Sequence, residues 1–93
     1  MQSLFDKIEE KMAEGQSAET LSLIEEAMAG EAAADKARLL YLRGRLYMKL
    51  GDWQQAMNSF MQAEAIDGNG PAAEARQMLS GILDFYNKDL YNP

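Results

Sequence analysis

A chain of 93 residues with 15 Asp and Glu against 9 Lys and Arg has a formal net charge of -6, which repels phosphate backbones and anionic lipid and argues against nucleic acid or a membrane as partner. It has no His and no Cys, so imidazole bases, thiolate nucleophiles, disulfides and the usual zinc ligands are absent, and no enzyme activity, metal or cofactor is expected. One domain with one small site or groove is what this length builds.

Taken in chain order, five helices are expected, each bounded by a cap or a glycine. The first runs from about Leu4 to Glu14, with Ser3 as N-cap, Asp6 three residues on and Gly15 as the stop. The second starts after Ser17 and ends before Gly30. The third spans about Asp35 to Leu50 and stops at Gly51. The fourth opens with Asp52 as N-cap and Gln55 as the reciprocal partner of a capping box, and Gly68 closes it. "GNGP" then turns the chain, Pro71 suits the first helical position, and a fifth helix reaches about Tyr86 before a frayed tail of residues 87–93. The first residues lack the apolar run of a secretory leader, and charges interrupt every apolar stretch, so the expected location is cytoplasmic.

No alternating run long enough for a strand occurs, whereas apolar residues recur every three or four positions, which makes the fold all-α. In the fifth helix Ala72, Ala75, Met78, Leu79, Ile82, Leu83 and Tyr86 form one stripe, with Glu74, Gln77, Ser80 and Asp84 opposite. Displacing the sequence by one hairpin places Gly15 on Gly51, Glu19 on Gln55, Leu21 on Met57, Ile24 on Phe60 and Ala27 on Ala63. Two copies of a helical hairpin are implied. Leu40, Gly44, Tyr47, Ala56, Phe60 and Ala63, with "GDW" at residues 51–53, follow the motif of the tetratricopeptide repeat, and the segment resembles that family. The match is close over residues 37–70. It is degenerate over residues 1–30, where Ile8 takes the small residue's place and Lys11 the aromatic's. A third repeat retains a single capping helix, 71–86, aligned if Gly81 replaces Gly44.

The resemblance implies a five-helix antiparallel solenoid, a single domain over residues 1–93, acting as a non-catalytic scaffold or adaptor that holds a peptide or a partner's helix in its concave groove. Carried onto this chain, the partner-binding residues are Phe5, Glu9 and Met12 of the first helix, Arg38, Tyr41, Arg45, Met48 and Lys49 of the third, and Met78 and Tyr86 of the fifth. Arginine forks, aromatics and adaptable methionines suit an acidic or amphipathic protein segment. Two readings of the basic strip stay open: it recognises a partner, or it answers the acids Glu9, Glu10 and Glu14 of the first helix. Arg43 stands where the family has Leu and is expected to pack its stem while its guanidinium meets an acid or a carbonyl. Because two and a half repeats are few for a solenoid, a self-assembling homodimer is the alternative.

Overall fold

The computed structural model describes residues 3–29 and 33–91, with side chains described except at 33, 34 and 85–91. It contains α1 (Leu4–Ala13), α2 (Ser17–Met28), α3 (Ala33–Leu50), α4 (Trp53–Ile66) and α5 (Pro71–Tyr91). Successive helices pack antiparallel as hairpins, the most extensive pairing being α3 with α4, and α1 also touches α3. The radius of gyration is 14.2 Å. A compact domain of this length would have about 12 Å; the excess reflects helices stacked along one axis.

Two turns set this geometry with the same bonds. At the end of α1, Gly15 N–H donates to Met12 O and Gln16 N–H to Lys11 O, each at 3.1 Å. At the end of α3, Gly51 N–H donates to Met48 O at 3.1 Å and Asp52 N–H to Tyr47 O at 2.9 Å. Both are Schellman closures, and the glycines sit at φ 78° and 77°, a conformation that costs other residues steric strain. Ser3 and Asp52 cap α1 and α4 as expected, accepting from the backbone N–H of Asp6 and Gln55. The capping box at Asp52 is only half formed, because its own N–H is already taken by Tyr47 O.

Three boundaries differ from expectation. Gln16 rather than Ser17 takes the N-cap position of α2, with no side-chain bond; its carbonyl instead receives both Thr20 N–H and Thr20 Oγ1. Gly68 is not a left-handed cap: α4 stops at Ile66, and Asp67 leaves it in an extended conformation. Helix α5 continues past Tyr86 to Tyr91, so the segment expected to be frayed is helical up to that residue.

The core falls into three linked clusters. Ile8, Met12, Ile24, Leu39, Leu42 and Leu46 join the first hairpin to α3. Leu40, Ala63 and Ala72 lie between α3, α4 and the start of α5. Ala56, Phe60 and Leu79 join α4 to α5. Gly44 permits the closest approach: a Cβ there would lie 2.6 Å from Phe60 Cδ1 and 2.9 Å from its Cζ, so the ring fills the space a side chain would need. Gly81, its counterpart in α5, has open space around it. The neighbours explain the difference. Leu40 and Tyr47 flank Gly44, whereas the corresponding Gln77 and Asp84 flank Gly81, and all three of those α5 residues are exposed. Opposite them Leu79 is fully buried, giving α5 the one dry and one wet face expected of a cap.

Candidate functional site

The hairpin order places α1, α3 and α5, the first helix of each repeat, along one side of the solenoid. Between them lies a groove of about 430 Å³ lined by Glu9, Met12 and Ala13 of α1, by Tyr41, Arg45, Met48 and Lys49 of α3, and by Ala75 and Met78 of α5, with Phe60 beneath. The rows repeat. Glu9 and Arg45 occupy equivalent slots one hairpin apart, as do Met12 and Met48, and Ala13 and Lys49. Tyr41 leans on Phe60 with ring centroids 5.9 Å apart at 40°, so the groove floor is continuous with the α3–α4 core.

The basic residues, though solvent-accessible, are turned toward α1. Arg45 Nη1 donates to Glu9 Oε1, and its guanidinium lies 5.8 Å from the Tyr41 ring centroid. Lys49 Nζ donates to Met12 O at 2.8 Å, placing a cation against the C-terminal carbonyls of α1, where the helix dipole favours it. Arg38 stacks its guanidinium 4.0 Å over the Phe5 ring. Of the two readings of the strip, the contact with the acids of α1 is therefore present, through Glu9.

Arg43 behaves as its slot required. Its side chain is 15% exposed; Nε donates to Ser59 Oγ and Nη1 to Glu25 Oε1, both at 3.0 Å. The first bond satisfies a fully buried hydroxyl, which would otherwise cost about 1–3 kcal/mol. It ties α3 to α4 inside the hairpin, and the second bond ties α3 to α2 at its surface.

Seven of the ten residues expected at the site line the groove together: Glu9, Met12, Tyr41, Arg45, Met48, Lys49 and Met78. Met12 does so from the core, at 4% exposure, whereas Met78 is 59% exposed. Two others lie elsewhere. Phe5 packs on the first core cluster beneath Arg38. Arg38 borders a neighbouring hollow of about 320 Å³ with Tyr41, Ala63, Asp67 and Pro71, so the three basic residues do not form one strip. The side chain of Tyr86 is outside the described residues. Lys49 reaching a backbone carbonyl had no signal in the sequence, because a carbonyl is common to every residue. Among the described residues, no helix is long and apolar enough to cross a membrane, and no three His, Cys, Asp or Glu side chains gather as they would around a metal ion.

The profile of the tetratricopeptide repeat matches residues 37–69, the α3–α4 hairpin. With that hairpin preceded by a copy closed by the same turn, the chain belongs to the tetratricopeptide-repeat family, whose members mediate protein–protein interactions. Its fold is similar to the solution NMR structure of Bacteroides fragilis protein BF1650, with a TM-score of 0.86 and 40% sequence identity over 99% of this chain and 91% of that one. No curated protein matches the sequence.

Proposed function

We propose that the protein is a non-catalytic binding module that holds an amphipathic, acid-bearing protein segment in the groove between α1, α3 and α5. The observation that carries this reading is the make-up of the groove. An apolar lining of Met12, Met48, Met78, Tyr41 and Ala75 surrounds two cations, Arg45 and Lys49, and one acid, Glu9, on a chain whose net charge is -6. Thioether side chains adapt to the shape of an inserted apolar residue, and the cations favour a carboxylate beside it. A groove of about 430 Å³ has room for the side chains on one face of a helix or of a short extended strand. Such a contact would bind at roughly micromolar strength and weaken as salt screens it.

The test is selection of helix-forming peptides from a display library, followed by titration of the selected peptide into protein labelled at its methionine methyls. Shifts should concentrate at Met48 and Met78. Met61, 54% exposed on the far side of α4, is the internal control. Shifts led by Met61, or no selected peptide at all, would refute groove binding. Sedimentation of the same sample separates peptide capture from homodimer formation.

A further inference from the structure

Glu9 and Arg45 fill the same slot of consecutive repeats with opposite charges, and both line the groove. Their side chains are 49% and 41% exposed. An ion pair so open to solvent contributes little to stability, and its partners exchange readily. The pair engages Arg45 through Nη1 and places a carboxylate of the chain itself on the groove's guanidinium. The Tyr41 ring supports the guanidinium, while Lys49 is tied to the Met12 carbonyl and does not draw Glu9 away.

We propose that Glu9 is a built-in competitor for the groove: its carboxylate holds on Arg45 the place of an acidic side chain of the bound segment and swings into solvent when that segment enters. The inference rests on the groove reading above and adds to it a residue that sets specificity. While Glu9 is paired, Arg45 is only partly available, and the apparent affinity for an acidic ligand falls by the fraction of molecules in which the pair is open. An apolar or amide-bearing segment does not compete for Arg45, so Glu9 leaves its binding unchanged. The device therefore discriminates between acid and amide at one position of the ligand.

The probes are peptides selected from the display library on the wild-type protein, each remade with its acidic residues changed to Gln. Each pair is titrated by fluorescence anisotropy against wild type, Glu9→Gln and Arg45→Gln. Glu9→Gln should tighten the acidic peptide about three- to fivefold, the range an exposed ion pair allows, and leave its Gln counterpart unchanged. Arg45→Gln should abolish the difference between the two peptides. Glu9→Ala should reproduce the tightening, which separates loss of the carboxylate from an accident of the glutamine. If Glu9→Gln leaves both peptides unchanged or weakens both alike, the pair merely fastens α1 to α3 and the proposal fails, while selected peptides that shift Met48 and Met78 keep the groove reading intact. If no variant retains any peptide, both fall together.

Discussion

The two hairpins share a turn and differ in what they bury. Each closes its first helix with the same pair of backbone bonds and a glycine near φ 77°. Where α3 and α4 cross, however, a glycine faces a phenylalanine, whereas Ile8 and Ile24 hold the equivalent slots between α1 and α2, all four being buried. A small–large pair in one repeat is answered by two medium residues in the other. The next slot follows suit: Ala56 is fully buried in the second hairpin, and Thr20 in the first, its hydroxyl satisfied at 2.6 Å by Gln16 O. What the repeats hold in common is the backbone signal and the filled volume rather than the residues, as close packing requires.

The largest effect expected from breaking this comparison is that of Gly44→Ile, which drives a branched side chain into the Phe60 ring and should cost about 3 kcal/mol in urea unfolding. Adding Phe60→Ile installs the first hairpin's pair in the second and should restore at least half of that loss; no recovery would show that the two crossings are not equivalent. Ala56→Leu comes next, at about 2 kcal/mol, because the site between α4 and α5 has no room to expand.

Arg43→Leu sharpens the comparison in a third way by supplying the residue the family motif has there. It strands Ser59 Oγ in the core and should lower stability by about 1–2 kcal/mol, with Ser59→Ala in the same chain restoring most of it. A thermal melt of the single and double variants decides this. The smallest effect belongs to the first hairpin. Thr20→Val keeps the shape and loses a bond whose acceptor still receives Thr20 N–H, so the change should stay under about 1 kcal/mol.

The turns were legible in the sequence because each uses the residue suited to positive φ, and the α3–α4 hairpin because its small and large residues follow a known order. Arg43 was legible too, since a charged residue on a buried arc must find a partner. The first hairpin was hard to read because its compensation exists only in space: Ile8 looks wrong until Ile24 is set against it. For the groove, the family resemblance brought seven residues to one place. It did not reveal that Arg38 would turn to Phe5, or that Lys49 would reach a carbonyl. Long flexible side chains choose among several near-equal partners, and their direction is decided by the neighbouring helix.

The polar residues around Gly81 keep the outer face of α5 wet. A helix laid against that face would have to strip water from Gln77 and Asp84, which disfavours stacking there. Gln77→Leu with Asp84→Tyr would recreate the flanks of Gly44 around an unfilled notch. The end of one molecule would then present an apolar template without its complement, and the expected outcome is self-association that rises with concentration. Two side chains on one helix thus decide whether that end of the solenoid is wet or sticky.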